Sequence, residues 1–186
     1  MMLRIPTILA AALLALSACV AGPSGRAKDA PPLEAVASVD IARYMGLWYE
    51  IARYPTSFQK DCEGTTAQYT LRDDSRVDVV NTCRFGTKDG EPRSAEAVAR
   101  VMEGSNGARV FVNFAPIPLP AGRGNYWIIH LDEGYQHALI GEPSGRFLWM
   151  LSRTPTVTPE VRAELDAAAK AKGYDLSMLK ETLQEP

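Results

Sequence analysis

Short runs that favour β-strands recur along most of the chain, and turn-forming residues separate them. Eight such runs span 48–54, 65–71, 76–83, 94–102, 108–114, 125–132, 136–142 and 147–153. The second and third runs are joined by the Asp-rich turn RDDS. Strands this short and this regularly spaced predict an all-β fold, either a sandwich or an up-and-down barrel.

Small side chains on one strand face favour the barrel. In the fourth run Ala95, Ala97 and Ala99 alternate with larger residues, and Ala67 lies in the second run. Side chains alternate between the two faces of a strand, so these alanines would leave room inside a closed sheet. The sequence therefore predicts an eight-stranded antiparallel up-and-down barrel, whose interior either holds one small ligand or is filled by side chains. Tight packing of the alanines against large neighbours stays open as the alternative.

The first 18 residues have the pattern of a secretion signal. Arg4 precedes a short apolar run that is too short to span a bilayer, and the run ends in LSAC at Cys19. LSAC resembles the bacterial lipobox, which implies cleavage before Cys19 and acylation of that residue. An ordinary signal peptide with a coincidental Cys is the alternative. Val20, rather than Asp, follows the Cys, and by resemblance to bacterial sorting rules this favours the outer membrane.

The mature chain would then begin with the lipidated Cys19 and a tether. Residues 19–38 are rich in Ala, Pro and Gly after the Cys, which is typical of a flexible linker. The folded domain is predicted to occupy residues 39–186.

Two cysteines remain for the folded domain in an oxidising compartment. Cys62 and Cys83 flank the hairpin formed by the second and third runs, and folding it brings them nearly opposite each other. A disulfide is predicted, with two buried free thiols as the alternative. The spacing matches neither a CxxC redox motif nor a zinc site.

The pattern changes to that of a helix after the eighth run. Thr158 is a good N-cap, Pro159 suits the first helical position, and Gly173 a helix stop. Val161, Leu165, Ala168 and Ala169 form an apolar stripe. These signals predict a helix over 159–172 packed on the outside of the barrel, followed by a tail with a further turn and strand.

Three stretches in order resemble the lipocalin family. GLWYEIARYP matches its first signature through Gly46, Trp48 and Tyr49, NYWIIHLDEGYQHALIGEP its second, and FLWMLSRTPTV its third through Arg153. The second stretch departs from the family's frequent Thr-Asp-Tyr by having Leu131 and Asp132. The likeness covers about 40–183 and is particularly close to the bacterial outer-membrane lipoprotein subgroup. It implies that Trp48 lies at the closed end of the barrel with Arg153 packed across it, both in structural roles.

The resemblance and strand alternation together predict the lining of a ligand cavity. Inward residues at the first strand's far end would include Ala52 and Tyr54, whereas Trp127, Ile129 and Leu131 would face outward beneath the helix. The predicted cavity residues are Glu50, Ala67, Tyr69, Val79, Asn81, Ala97, Ala99, Tyr126, Ile128, His130, Ile140 and Trp149. Such a cavity is apolar with a few polar groups that would orient a ligand or satisfy one another.

These features favour a binding protein over an enzyme. The formal net charge of −2 gives no sign of a nucleic-acid partner. The sequence has no nucleophile elbow, P-loop, dinucleotide fingerprint or metal-ligand spacing, so no catalytic residue, metal or cofactor is assigned. The prediction is a membrane-anchored protein, facing the periplasm at the outer membrane, that binds a fatty acid or lysophospholipid. A lipid- or pigment-modifying enzyme and a filled barrel acting through its surface remain alternatives. The sequence does not indicate an oligomeric state.

Overall fold

The sheet closes into a barrel of eight antiparallel strands. The structure, a computed structural model, describes residues 24–115, 117 and 119–184. Each strand pairs with the next, and the first also pairs with the eighth, so the barrel closes as predicted. The strands are β1 (Gly46–Arg53), β2 (Cys62–Leu71), β3 (Val77–Phe85), β4 (Pro92–Val101), β5 (Arg109–Asn113), β6 (Tyr126–Leu131), β7 (His137–Gly141) and β8 (Leu148–Ser152).

Alternate connections define two ends of the barrel, because successive strands are antiparallel. The lower end carries the connections 72–76, 102–108 and 132–136 together with a short helix, α1 (Ile41–Tyr44), which precedes β1. The upper end carries the four connections 54–61, 86–91, 114–125 and 142–147. Tyr44 of α1 is buried in the interior cluster, so α1 helps to close the lower end.

Two β-bulges overturn part of the predicted alternation. In β1 the register shifts between Glu50 and Ala52, and Ala52 and Tyr54 lie in the outer cluster rather than inside the barrel. In β6 it shifts between Ile128 and His130, and Leu131 packs against the interior cluster instead of facing outward. An extra residue in one strand reverses the faces of all residues that follow it. The predicted outward positions of Trp127 and Ile129, which precede this reversal, are confirmed.

A second helix covers one side of the barrel, as predicted. This helix, α2 (Pro159–Ala171), buries Leu165 and Ala169 in the outer cluster against β7 and neighbouring strands. The Thr158 side chain accepts a hydrogen bond from the Val161 backbone N–H, which caps the first turn. Within the residues described, no helix has the length and apolar character needed to cross a membrane.

The tail forms a short strand that seals a slit in the barrel wall. After a 3₁₀ turn (Leu176–Met178), β9 (Lys180–Glu181) pairs with β1 above its bulge, where β1 has separated from β2. Gln184 Nε2 then donates to the backbone oxygens of Glu50 on β1, at 2.7 Å, and Thr65 on β2, at 2.8 Å. The C-terminal segment therefore joins two strands that no longer bond directly to each other there.

The segment 24–38 is packed along the barrel, which corrects the prediction of a flexible tether over these residues. Val36 N–H donates to Ile128 O at 2.9 Å, Ala27 N–H donates to Gly173 O at 2.9 Å, and Leu33 is buried in the outer cluster. The apolar residues Leu33, Ala35 and Val36 supply the contacts that the Ala/Pro-rich composition obscured. The predicted signal peptide 1–18 and the lipid attachment at Cys19 lie outside the described residues.

The predicted disulfide is confirmed. Cys62 at the start of β2 is bonded to Cys83 near the end of β3, with a Cα–Cα distance of 5.4 Å. The bridge joins the two strands close to the upper end of the barrel.

Candidate ligand-binding site

The interior is closed from below by an indole and a guanidinium. Trp48 is fully buried, its Nε1–H donates to Tyr44 O at 2.9 Å, and the Arg153 guanidinium carbon lies 3.9 Å from its ring centre. The predicted cation–π contact is therefore present. These two residues shut the lower end and leave ligand access to the other end.

The Arg153 guanidinium also holds α1 in place. It donates to the backbone oxygens of Leu47 and Met45, both at 2.8 Å, and of Tyr44, at 3.1 Å. The end of α1 would otherwise leave carbonyl groups without partners. Gly46 has φ +98°, and a Cβ there would lie 3.3 Å from Arg153 Nη1, so the signature glycine allows this close approach.

Most of the predicted cavity residues share one interior cluster. Nine of the twelve belong to it or pack against it: Ala67, Tyr69, Val79, Ala97, Ala99, Tyr126, Ile128, Ile140 and Trp149. Asn81 follows Val79 on the same face of β3 and lies between Ala67 and Ala95 in the sheet register. The family resemblance combined with strand alternation thus located the wall of a predominantly apolar interior.

Three tyrosines meet across this interior. Tyr69 on β2 and Tyr126 on β6 come from opposite walls of the eight-stranded ring, yet their hydroxyl oxygens are 3.1 Å apart. Tyr44 of α1 joins them, with its hydroxyl oxygen 2.8 Å from that of Tyr126. We call Tyr44, Tyr69 and Tyr126 the tyrosine bridge. It crosses the interior from β2 to β6.

The tyrosine bridge has one hydroxyl proton to spare. Burial raises the pKa of Tyr69 to about 12, and burial raises the pKa values of Tyr44 and Tyr126 well above the ordinary value. All three groups are therefore protonated at neutral pH. Three hydroxyl protons serve two hydrogen bonds, because each of these bonds uses one proton. The third has no acceptor among the described residues.

The free space beside the tyrosine bridge is small. A cavity of about 30 Å³, room for about one or two water molecules, lies at the lower part of the barrel. It is lined by Ile41, Tyr44, Met45, Tyr69, Val77, Val79, Ala99, Val101, Val110, Val112, Tyr126 and Ile128. Every lining side chain except the tyrosines is fully apolar. An acyl chain needs several times this volume, so a chain that entered this cavity would have to displace its lining side chains.

Asn81 presents a polar atom without a protein partner. Its Oδ1 is buried and accepts no hydrogen bond from the described residues. A buried amide oxygen left unpaired costs free energy. It could recover that cost by accepting a bond from a ligand or a water molecule, which keeps Asn81 among the predicted ligand contacts.

Glu50, in contrast, is committed to a buried ion pair. Its Oε1 accepts from Arg53 Nη1 at 2.6 Å and from the Thr182 hydroxyl, while its Oε2 accepts from Gln59 Nε2 at 2.8 Å. Both Glu50 and Arg53 are buried. The predicted cavity residue therefore has both carboxylate oxygens bonded within the protein and serves to connect β1, the 54–61 loop and the tail.

Gln59 links the same loop to the cavity wall. Its Oε1 accepts from Trp149 Nε1 at 2.9 Å, and the neighbouring Phe58 ring lies 6.0 Å from Phe147. Phe147 in turn stacks on Trp149, with ring centres 5.5 Å apart and planes 5° apart. The three rings form an aromatic row, Phe58–Phe147–Trp149, that leads from the upper loop to the interior.

The prediction that His130 lines the cavity is wrong. His130 follows the β6 bulge, and its Nε2 lies 3.8 Å from Glu164 Oε1 on the outer helix. The bulge places this side chain on the outside of the barrel.

Sequence reasoning also missed several residues that shape the site. Tyr44, Arg53, Gln59 and Thr182 carry no motif. A signal existed for Arg53, because a charged residue in a strand where neighbours are buried needs a partner. Its partners could not be predicted from sequence spacing, because the contacts depend on a β-bulge in β1 and on the distant C-terminal tail.

The fold and the site define a class of protein: a closed β-barrel, shut at one end, with an apolar interior suited to a small hydrophobic molecule. A family model described as "Lipocalin-like domain" matches residues 39–184. The chain is 39% identical to temperature-induced lipocalin-1 of Arabidopsis thaliana over 162 residues, which cover 82% of this chain and 83% of that protein. The chain belongs to the lipocalin family.

Two further comparisons agree with this assignment. The chain is 38% identical to the outer membrane lipoprotein Blc of Escherichia coli (strain K12) over 143 residues, or 76% of this chain and 77% of that protein. The structure of insecticyanin from the tobacco hornworm Manduca sexta superposes with a TM-score of 0.63 at 16% identity, over 89% of each chain. At that identity the likeness concerns the fold alone.

Proposed function

We propose that the protein is an acylated envelope lipocalin that carries one single-chain amphiphile, a fatty acid or a lysophospholipid. The observation that carries the proposal is the apolar interior wall built from small and branched residues around Ala97, Ala99 and Val79. Such a wall favours an alkyl chain, with about 25 cal/mol gained per Å² of apolar surface removed from water. The chain's family membership supports the binding of a small hydrophobic ligand.

The charged end of the amphiphile would stay at the mouth. Burying a carboxylate or phosphate beside one spare hydroxyl proton would leave most of its hydration unreplaced, at a cost of several kcal/mol. The alkyl chain would therefore enter from the upper end and extend toward the tyrosine bridge. The tyrosine hydroxyls limit how deep it can go unless they separate.

The N-terminal sequence and the relatives support a location at the outer membrane. The LSAC sequence supports acylation of Cys19, and Val20 after it favours the outer membrane. The relative from Escherichia coli is named an outer membrane lipoprotein. We propose that the acyl chains anchor the protein there, facing the periplasm.

A filled barrel that acts through its surface is the second candidate. The cavity of about 30 Å³ beside the tyrosine bridge supports it, because an alkyl chain that reached this depth would have to displace the lining side chains. The two candidates differ in whether an alkyl chain binds inside the barrel. A carrier rearranges its interior side chains to bind the chain, whereas a filled barrel does not bind one.

The test is mass spectrometry of organic extracts from residues 20–186 purified without detergent. A fatty acid or lysophospholipid at one per protein supports the carrier. Titration with lysophospholipid, followed by Trp149 fluorescence, gives the affinity, and the same head group without its acyl chain should leave the signal unchanged. An empty extract and no fluorescence response would support the filled barrel.

A pair of variants on one strand locates the ligand. Ala99 faces the interior and Val98 faces outward on β4. Ala99→Phe should abolish binding while Val98→Phe retains it. Equal effects of the two substitutions would place the ligand elsewhere.

A further inference from the structure

The chain enters the folded domain at the upper end of the barrel, not the lower. Just after the segment 24–38, the Val39 N–H donates to Asn106 O in the 102–108 connection of the lower end at 2.8 Å. From Val39 toward the N-terminus, the segment runs along the outside of the barrel to the upper end. There Gly25 N–H donates to Gly145 O at 2.8 Å, and the Tyr54 hydroxyl donates to Gly25 O at 3.0 Å.

The position of Ser24 limits how the folded domain can be oriented relative to a membrane anchor at Cys19. Five residue steps separate the two positions, and an extended chain covers at most roughly 18 Å over five residues. The nine residues of β3 make the barrel about 20–25 Å tall once strand tilt is allowed for. The upper end is therefore much nearer to an anchor at Cys19 than the lower end is.

We propose that the protein holds its mouth against the lipid bilayer, with the upper loops in contact with the membrane surface. This inference rests on the proposed acylation of Cys19. The short link between Cys19 and Ser24 keeps the upper end close to the bilayer. The side chains exposed at that end determine whether it remains in contact with the membrane.

Exposed apolar side chains concentrate at the upper end. Among the described residues, four large apolar side chains are more than half exposed: Phe58 at 66%, Ile117 at 62%, Leu183 at 58% and Phe114 at 51%. Phe58 belongs to the 54–61 loop, Phe114 and Ile117 to the 114–125 loop, and Leu183 bonds to Gly64 near the start of β2. They flank the mouth on opposite sides, where burial in lipid would remove them from water.

The aromatic row continues this apolar surface into the barrel. Phe58 is largely exposed, Phe147 is half-buried and Trp149 belongs to the interior wall. An alkyl chain that leaves the bilayer beside Phe58 would remain in contact with apolar rings until it reaches the interior. The mouth would thus take its ligand from the membrane without passing it through water.

Net charge does not account for this contact. The upper loops carry exposed Lys60, Arg123 and Arg146, but also Asp61 and Glu91. Charges of both signs give little net attraction to an anionic surface, so the contact should persist in high salt.

The orientation can be measured on the acylated full-length protein in vesicles of phosphatidylethanolamine and phosphatidylglycerol. A single cysteine is introduced as Ile117→Cys at the upper end or, as the matched control, Asp73→Cys in the 72–76 connection at the lower end. Cys62 and Cys83 are bonded to each other, so an environment-sensitive fluorophore would label only the new thiol. Spin-labelled lipids should quench the probe at residue 117 and leave the probe at residue 73 unquenched.

A second pair of variants tests the apolar contact. Phe58→Ser combined with Phe114→Ser should reduce quenching at residue 117 several-fold, whereas Leu71→Ser at the lower end should not change it. Quenching that is equal at both ends, or stronger at residue 73, would overturn the inference.

The outcome is separable from the proposed function. Mass spectrometry of the N-terminal peptide reports acylation, and an unmodified Cys19 would overturn both the anchoring and this inference. Acylated, ligand-loaded protein with quenching at residue 73 would overturn the orientation alone.

Discussion

Arg153 and Trp48 are held face to face at the lower end, with the guanidinium carbon 3.9 Å from the ring centre. The same guanidinium donates to five backbone oxygens, of Arg43, Tyr44, Met45, Leu47 and Tyr135. One side chain therefore covers the indole and binds the end of α1 at once. Its planar, forked set of donors makes this combination possible.

Arg153→Lys should destabilise the protein. A lysine ammonium has three donors on a point charge and cannot cover the ring while donating to five carbonyls, so we expect a loss of about 1–3 kcal/mol. Arg43→Lys is the control, because Arg43 also lies 3.9 Å from a ring, that of Tyr135, but is exposed. Urea unfolding measures both. Unchanged stability with lost ligand affinity in Arg153→Lys would contradict the structural role.

Removing one member of the buried pair Glu50–Arg53 should be more costly. Arg53→Met leaves the Glu50 carboxylate buried without its cation, at an expected 3–5 kcal/mol, about the value for broken buried pairs. Adding Glu50→Gln should restore part of the loss, because the remaining charge is removed. Arg162→Met on α2 breaks ion pairs that are more exposed and should cost about 1 kcal/mol or less. A loss below that value in Arg53→Met would show that the pair is not isolated from water.

Stability should fall in alkaline solution because of the tyrosine bridge. The folded-state pKa of Tyr69 is raised to about 12 by burial, so above pH 10 the unfolded chain loses this proton while the folded chain keeps it. The stabilising contribution is complete below pH 10 and is lost as pH rises toward 12, on the order of 2–3 kcal/mol for this residue. Denaturant titrations across this range measure the decline. Tyr69→Phe should make the decline less steep, since Tyr44 and Tyr126 still contribute, and an equally steep decline in that variant would assign the effect to other groups.

The disulfide should stabilise the domain through the unfolded state. Cys62 and Cys83 are 21 residues apart, and closing a loop of that length is worth about 3 kcal/mol in the chain-entropy model. The double variant Cys62→Ser with Cys83→Ser should lose about this amount in urea. The reduced wild-type protein is the control and should match it. No difference between oxidised and reduced protein would mean that the bond leaves the unfolded ensemble unchanged.

The sequence predicted the parts of the structure that follow from local periodicity and from the family resemblance. The resemblance, together with strand alternation, placed Tyr69, Val79 and Ile128 on the interior face, and helix signals around Thr158 located α2. Alternation failed for Ala52 and His130, because a bulge inserts one residue without a distinct local pattern. The strand runs, the alanine face and the family resemblance together were therefore sufficient to predict the barrel but not every inward face.

The missed features depend on contacts between distant parts of the chain. Tyr44 and Tyr126 are 82 residues apart, and Thr182 lies 132 residues from Glu50. Such partners leave no trace in local composition. The Pro- and Ala-rich stretch before residue 39 illustrates the same limit, since a few apolar residues such as Leu33 were enough to dock it on the barrel.

Gln184 should control the slit between β1 and β2. Its amide nitrogen bonds to Glu50 O and Thr65 O, and Gln184→Leu would leave these two carbonyls without that donor while keeping the side-chain size similar. Because β1 and β2 do not pair directly at this level, we expect local opening rather than global unfolding, with a loss of about 1–2 kcal/mol. Hydrogen exchange should then accelerate at Gly64, whose amide donates to Leu183 O, and at Thr182, whose amide donates to Ile51 O. Gln136→Leu, which removes an exposed side-chain bond to Gly134 O, is the control and should leave exchange at both amides unchanged. Unaltered exchange in Gln184→Leu would mean that β9 alone keeps the wall closed.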